Sequence, residues 1–160
     1  MLEKNGYTFF WGRTDVFSQW YPSAFEYEGL TFVNCEQFMM YSKAKLFNDD
    51  EIADEIMKVS DPKEHKAFGR KVRNFDTQVW NAEAKKIVYI GNREKFTQNE
   101  KLLAELMATG DTKLVEASPY DKIWGIGLES SDPAATDPTK WKGTNWLGEI
   151  LTTLRDDIRK

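Results

Sequence analysis

A helix start is signalled by the segment Val33-Asn34-Cys35-Glu36-Gln37-Phe38-Met39-Met40-Tyr41-Ser42-Lys43-Ala44. Asn34 is a favourable N-cap residue, and Gln37 stands three positions later, where a capping box has Glu or Gln. Val33 and Phe38 occupy the two positions of a hydrophobic staple. The segment therefore predicts a helix that begins at Asn34.

The same segment places an acid and an amine on one helix face. Glu36, Met40 and Lys43 are spaced i, i+4 and i+7, so their side chains share one side of the helix. Glu36 and Lys43 are about 10 Å apart along the axis, and two long side chains can converge on one small ligand across that distance. A structural interpretation is the commoner one on spacing alone: a first-turn acid complements the helix dipole, and a lysine at an apolar edge extends its amine to water.

The composition is that of an ordinary soluble protein. The 160 residues fit one domain with its own core, and we expect a single domain over residues 1–160. Hydrophobic residues make up 41% and charged residues 30%, which is typical of globular proteins. Aromatic residues reach 14% and include six Trp, which predicts a pocket for a planar ligand.

The net charge and the small number of Cys and His residues exclude several classes of binding site. The net charge of −4 argues against binding long nucleic acid through a basic face, but leaves a single nucleotide or a strand end open. One Cys and one His exclude the usual zinc sites and an internal disulfide, so we expect no metal and no cofactor. The N-terminus lacks a signal-peptide core, and no run approaches the ~18 apolar residues of a membrane span. We expect a cytoplasmic protein without membrane contact, and the oligomeric state stays open.

The flanking segments predict an α+β fold that is mainly helical with a few short strands. The predicted strands are Tyr7–Trp11, a hairpin of Phe25–Tyr27 and Leu30–Phe32, and Lys113–Ala117. Five helices are predicted after the first one. The second is capped by Asn48–Glu51, with Ile52, Ile56 and Val59 facing the core, and the third is opened by Asp61-Pro62. The others are Thr77–Phe96 capped by Asp76, Asn99–Ala108 ended by Gly110, and a last helix that starts at Thr144-Asn145. The apolar face predicted for the long helix is Val79, Trp80, Ala84, Ile87 and Val88. His65, early in the third helix, is predicted to be a surface residue, and Glu129–Gly143 a surface loop over a pocket mouth.

Several shorter features suggest ligand contacts, each with a structural alternative. The cluster Gly69-Arg70-Lys71-Val72-Arg73 can hold a phosphate or form a solvated helix end. The aromatic loop Phe17–Ser23 can line a pocket or pack on the core. Gly125, in Trp124-Gly125-Ile126-Gly127, allows close backbone approach to something flat.

Taken in order along the chain, a series of motifs resembles the NADAR (YbiA-like) family. The motifs are Phe17-Ser18-Gln19-Trp20-Tyr21-Pro22, Glu36–Ala44, Gly69–Asp76 with Trp80, Gly91-Asn92 with Lys95-Phe96, Leu114–Asp121, Ile123–Leu128 and Trp141–Gly148. The resemblance implies a mostly helical α+β domain and N-glycosidase activity on ribosides. Some members cleave phosphoribosylamino-pyrimidine intermediates of riboflavin synthesis, and others remove ADP-ribose from guanine bases. The family usually has Asn where this chain has Gln19.

The resemblance also implies roles for particular residues. Glu36 and Lys43 match the family's catalytic acid and lysine, and Trp80 and Asp121 match positions that contribute to its site; we count Asp121 with the catalytic residues. A first-turn carboxylate stays ionised near neutral pH, and a lysine in partly apolar surroundings has a lowered pKa and can act as a nucleophile. The predicted substrate-binding residues are Trp20, Trp80 and Trp124 for the base, Arg13 and Arg70 for a phosphate, and Gly125 and Asn145. The predicted substrate is a nucleotide or an ADP-ribosylated base, free or within nucleic acid, and a non-catalytic ADP-ribose-binding module is the alternative of another class.

Overall fold

A computed structural model describes residues 2–160, so Met1 of the predicted 1–160 domain lies outside the described residues. The described chain contains five strands, which are β1 (Leu2–Lys4), β2 (Tyr7–Phe10), β3 (Phe25–Tyr27), β4 (Leu30–Phe32) and β5 (Lys113–Glu116). The α-helices are α1 (Cys35–Leu46), α2 (Asp50–Met57), α3 (Pro62–Gly69), α4 (Thr77–Thr97), α5 (Glu100–Met107) and α6 (Trp146–Arg159). The predicted mainly helical α+β class is confirmed.

The chain divides into two compact units. The central unit is Gln19–Asn99, and the terminal unit joins the residues up to Ser18 with Glu100–Lys160. The central unit holds β3, β4 and α1 to α4, and the terminal unit holds the other elements. The single domain expected over the whole chain stays a prediction.

Helix α1 is the centre of the central unit, where it packs against α2, α3 and α4. Two glycines permit the close approach of the neighbouring helices. A Cβ at Gly69 would collide with the sulfur of Met40, and a Cβ at Gly91 would lie 2.7 Å from the ring of Phe38. Phe38 also packs with the hairpin residues Phe25 and Phe32 in one buried cluster. The predicted hairpin is confirmed, with Phe25 opposite Phe32.

The first turn of α1 is capped as predicted, with one difference. Asn34 accepts a hydrogen bond from the backbone N–H of Gln37 at 2.7 Å, which confirms it as N-cap. Gln37 Oε1 accepts from the N–H of Val33, at 2.8 Å, one residue before the partner of a standard capping box. The amide of Gln37 also donates to the carbonyls of Ile56 and Val59, at 3.1 and 3.3 Å. The start of α1 is therefore tied both to the exit of the hairpin and to the end of α2.

The prediction that His65 is a surface residue is wrong. His65 is completely buried, and its Nε2 donates to the carbonyl of Val59 at 2.7 Å. Helix α2 ends at Met57, so Val59 is not helical as predicted but turns its carbonyl to the imidazole. Nδ1 is buried and has no hydrogen-bond partner among the described residues. Burial lowers the pKa of His65, against the opposing effects of the Val59 hydrogen bond and the charges of Asp61 and Glu64.

This burial predicts a loss of stability in mild acid. The pKa of His65 is lower in the folded state, so the unfolded chain binds more protons once the pH falls below its ordinary value near 6.5. The free energy of unfolding should then fall with pH, by at most about 1.4 kcal/mol per pH unit for this one proton. Denaturant titrations of the wild type and His65→Gln from pH 7.5 to 5 measure it, because glutamine keeps a donor but does not titrate. Parallel curves for the two proteins would refute the prediction.

Helix α4 begins at the predicted cap, since Asp76 accepts from the N–H groups of Gln78 and Val79 at 2.9 and 3.2 Å. Its predicted apolar face is correct for Ala84 and Val88, which are fully buried. It is wrong for Val79, which is 43% exposed. Val79 has the helical spacing of the apolar face, but it lies in the first turn of α4, and the buried core does not reach that turn.

A three-stranded sheet in the order β1-β2-β5 forms in the terminal unit. β2 pairs with β1 in antiparallel register, and it pairs with β5 in parallel register with Phe9 opposite Val115. β1 was not predicted, because its three residues are all exposed and carry no apolar alternation. The inner side chains of Phe9 and Val115 share a cluster with Ile126 and Leu128.

The last helix begins where predicted. Of its predicted apolar stripe, Leu147, Ile150, Leu151 and Leu154 are buried, whereas Ile158 is only half-buried. The predicted loop 129–143 contains two short 3-10 turns, Pro133–Thr136 and Pro138–Lys140. Within residues 2–160, no helix combines the length and the apolarity needed to cross a membrane.

Candidate active site

Helix α1 holds the predicted acid and amine at different depths. Glu36, in the first turn, is buried, whereas Lys43, two turns later, is half-buried. The charge of Glu36 acts on the amine of Lys43, and so does the charge of Arg70. The predicted residues Glu36, Lys43 and Arg70 therefore share one electrostatic environment in the central unit.

The pKa of Lys43 is lowered from its ordinary value, as predicted from the sequence. Burial of the ammonium is the largest cause; Arg70 lowers the pKa further, and the negative charge of Glu36 raises it. Because burial penalises the charged form, Lys43 yields a neutral amine at a lower pH than an exposed lysine does. A neutral amine is the form that attacks a carbon electrophile.

Two aromatic rings flank this amine. The Nζ of Lys43 lies 4.6 Å from the ring centroid of Phe75 and 5.7 Å from that of Trp80. Trp80 is a predicted site residue, whereas Phe75 was missed. A signal for it was present in the sequence, because Phe75 and Trp80 stand at the two staple positions on either side of the Asp76 cap.

The backbone of Glu36 is hydrogen-bonded to a buried polar cluster. Its backbone N–H donates to the carbonyl of Gln19 at 3.0 Å. The side-chain Oε1 of Gln19 accepts from the amide of Asn92 at 2.9 Å, and the same amide donates to the carbonyl of Val88 at 2.8 Å. The contact between Gln19 and Glu36 uses a backbone carbonyl, which any residue supplies. The replacement of the family's usual Asn by Gln19 therefore leaves this support of Glu36 in place.

The neighbouring Cys35 is not a competing nucleophile. Burial raises its thiol pKa to about 11; Lys95 lowers it and Glu36 raises it. Its sulfur donates to Asn92 Oδ1 at 3.7 Å. A thiol with this pKa is almost entirely protonated near neutral pH, and the thiolate is the reactive form. Lys43 is therefore the better nucleophile on α1.

The terminal unit brings a second group of predicted residues together. Asp121 Oδ1 accepts from the backbone N–H groups of Ile123 and Trp124, at 2.9 and 2.8 Å. The carbonyl of Gly125 accepts from the N–H of Asn145 at 3.0 Å. A Cβ at Gly125 would lie 3.0 Å from the carbonyl of Asp121, so the glycine serves close backbone packing.

Asn145 links the start of α6 to β5. It is fully buried with a left-handed φ of 54°. Its Oδ1 accepts from the N–H of Glu116 at 3.0 Å, and its Nδ2 donates to the carbonyl of Leu114 at 3.1 Å. Both side-chain atoms are thus engaged by backbone, and a substrate contact by Asn145 stays a prediction.

The remaining predicted residues lie in the segment after β2. Arg13 is exposed and lies in a turn. The N–H of Asp15 donates a hydrogen bond to the carbonyl of Gly12 across this turn, at 3.0 Å. Trp20 is half-buried and directly follows Gln19. Among residues 2–160, no three His, Cys, Asp or Glu side chains are grouped so that they could hold a metal ion.

A cavity of about 420 Å³ lies in the terminal unit where β2 and β5 end. Trp11, Asp15 and Glu129 lie in its wall together with Ser130 and Ser131. The predicted site residues do not line this cavity. Its wall combines strand residues such as Phe9 and Phe10 with the first residues of the loop 129–143, which was predicted to lie over a pocket mouth.

The whole chain has relatives among known proteins. The NADAR domain family matches residues 9–159. The chain belongs to the NADAR family. N-glycosidase R617 of Acanthamoeba polyphaga mimivirus is 41% identical over 98% of this chain and 98% of its own length. Protein irg-1 of Caenorhabditis elegans is 39% identical over 95% of this chain and 79% of its own length.

More distant relatives include a solved structure and a longer protein. The NMR structure of the Escherichia coli protein YbiA matches 99% of this chain and 88% of its own chain, with a TM-score of 0.79 and 27% identity. Riboflavin biosynthesis protein VVA0006 of Vibrio vulnificus is 27% identical over 89% of this chain, which spans 35% of that protein. The predicted enzyme class, a hydrolase acting on N-glycosyl compounds, is confirmed by the family and by the relatives named as N-glycosidases.

Proposed function

We propose that this NADAR protein removes ADP-ribose from ADP-ribosylated guanine by cleaving the N-glycosidic bond with Lys43 as nucleophile. The observation that carries the proposal is the environment of the Lys43 amine. The amine has a lowered pKa and lies beside the aromatic rings of Phe75 and Trp80, and the charge of Glu36 interacts with it electrostatically. This combination suits a nucleophile that attacks a sugar carbon bonded to a flat base.

The proposed reaction has two steps. In the first, the neutral amine of Lys43 bonds to C1 of the ribose while the bond from C1 to the base nitrogen breaks, and the base leaves with that electron pair and takes up a proton. Opening of the sugar ring then gives a protonated imine between C1 and Nζ. In the second step, water adds to the imine, and the sugar leaves as the free amine of Lys43 is restored.

Glu36 stabilises the positive charge that grows at C1. Breaking an N-glycosidic bond builds positive charge on the anomeric carbon, and a carboxylate near that carbon lowers the barrier. Burial of Glu36 strengthens the effect, because electrostatic interactions are less screened away from water. Arg70 supplies a positive charge near Lys43 for a phosphate group of the substrate.

Two other candidates remain open to experiment. Cleavage of phosphoribosylamino-pyrimidine intermediates is favoured by the similarity to a riboflavin biosynthesis protein, and these substrates also carry a phosphate. A non-catalytic ADP-ribose-binding module would use the same predicted binding residues. It would need neither a lysine with a lowered pKa nor a carboxylate beside it, so the pair of Glu36 and Lys43 favours catalysis.

A substrate panel distinguishes the candidates. Purified protein is incubated with ADP-ribosyl-guanosine, phosphoribosylamino-pyrimidines, NAD and ADP-ribose, and the released base or nucleoside is quantified by chromatography. We expect release of guanosine and ADP-ribose from ADP-ribosyl-guanosine at the highest kcat/KM, and a loss on the order of 10²- to 10³-fold in Glu36→Gln, because an uncharged amide cannot stabilise the cationic transition state. A higher kcat/KM on the pyrimidines would replace the proposed substrate. Binding of ADP-ribose without turnover of any riboside would establish the binding module instead.

A further inference from the structure

Phe75 is exposed although it is a large apolar residue next to a reactive amine. Its side chain is 44% exposed, while its ring lies 4.6 Å from the Nζ of Lys43. Trp80, on the same amine, is only half-exposed. Both rings are thus partly accessible to a ligand next to the nucleophile.

The position of Phe75 is fixed by the residues on both sides of it. Arg73 clamps onto the buried Asp49, with its backbone N–H at 2.8 Å from Oδ2 and its Nη2 at 2.7 Å from Oδ1. Asn74 then takes a left-handed φ of 62°, and Asp76 caps α4. The ring of Phe75 also contacts the buried ring of Phe47 edge-on, with centroids 5.3 Å apart. The exposed ring therefore belongs to a rigid turn.

A structural explanation also exists for Phe75. It stands at the N′ position of α4 and Trp80 stands at N4, which are the positions of a hydrophobic staple. A staple needs only an apolar side chain, and leucine serves it as well as phenylalanine does. It does not account for an aromatic ring over the amine of Lys43, so the two roles separate when the ring is replaced by an aliphatic side chain.

We propose that Phe75 is the stacking platform for the base of the riboside substrate and contributes to substrate binding through that base; this rests on the proposed function. A flat base gains stacking energy on an exposed aromatic face whatever its hydrogen-bonding pattern. A base stacked on Phe75 lies near the nucleophile, because the ring centroid is 4.6 Å from Nζ. Phe75 selects planar heteroaromatic bases over saturated leaving groups.

The test compares Phe75→Leu and Phe75→Tyr with the wild type. For the riboside that the wild type cleaves, we expect the KM of Phe75→Leu to rise about 10-fold, the size of one lost stacking contact, at unchanged kcat and melting temperature. Phe75→Tyr should stay within about twofold of the wild type, because the ring is kept. Leu30→Ala, which shortens another exposed apolar side chain of the central unit, is the control and should match the wild type.

Further readouts separate this inference from the proposed function. Turnover by the wild type with an unchanged KM in Phe75→Leu would overturn the stacking role and leave the function standing. A change limited to the pH profile would also overturn it, since Phe75 would then act only on the charge of Lys43. If the wild type cleaves no riboside, the function fails, and binding of guanosine measured by calorimetry decides the role of Phe75. Equal affinity in the wild type and Phe75→Leu, or no binding in either, would refute it.

Discussion

Replacing Lys43 by arginine should lower the rate of N-glycosidic bond cleavage by at least about 10³-fold, because removing a catalytic nucleophile costs up to about 10⁶-fold in kcat. Arginine keeps a positive charge near the rings of Phe75 and Trp80, but its guanidinium stays protonated and cannot attack carbon. The rate is measured by chromatography at saturating substrate. Sodium borohydride added during turnover should reduce the imine and leave a mass increment on the wild type that is absent from Lys43→Arg.

Lys45→Arg is the matched control for this experiment. Lys45 lies on the same helix, is exposed and pairs with Asp50 at 2.8 Å, so its substitution should change neither the rate nor the borohydride adduct. The kcat/KM of the wild type should rise with pH through the pKa of Lys43, which burial has lowered. A rate for Lys43→Arg near that of the wild type would exclude the covalent mechanism. An adduct missing from an active wild type would point to attack by water.

Replacing Asn145 by alanine should lower the free energy of unfolding by about 3 kcal/mol or more, through two orphaned backbone groups at about 1–3 kcal/mol each. The N–H of Glu116 and the carbonyl of Leu114 would both lose their partner in a buried part of the terminal unit. Alanine also tolerates the left-handed φ of 54° less well than asparagine does. Denaturant unfolding at constant pH measures the loss.

Two further substitutions at this position divide the effect into its parts. Asn145→Gly keeps the backbone conformation and loses only the hydrogen bonds. Asn145→Asp keeps an acceptor for the N–H of Glu116 but turns a carboxylate oxygen toward the carbonyl of Leu114. All three variants should be destabilised, with glycine above alanine in stability. A loss below about 1 kcal/mol in Asn145→Ala would contradict the role of these bonds, and activity data at this position bear on substrate binding only where the variant remains folded.

Local sequence signals were sufficient to predict most of the helices and the hairpin. The caps at Asn34, Asp61 and Asp76 involve hydrogen bonds between residues two or three positions apart, so the sequence contains both partners. The face shared by Glu36 and Lys43 follows from helix geometry in the same way. Their assignment to catalysis came from the resemblance of motifs along the whole chain, because spacing alone favoured a structural role.

Long-range contacts decided what the sequence did not show. The buried imidazole of His65 donates a hydrogen bond to the carbonyl of Val59, which lies beyond the end of α2. A lone histidine in a polar helix carries no sign of that partner. Gln37 bonds to Ile56 and Val59 as well as to its own turn.

The candidate site follows the same division between local and distant partners. Helical periodicity by itself determines that Glu36 and Lys43 face one way, since neighbours on a helix are set by the backbone. Only the tertiary structure determines that Lys43 loses part of its hydration and lies beside Phe75 and Trp80. Desolvation and ring contacts depend on residues more than thirty positions away, and burial is the largest cause of the lowered pKa that makes this lysine a candidate nucleophile.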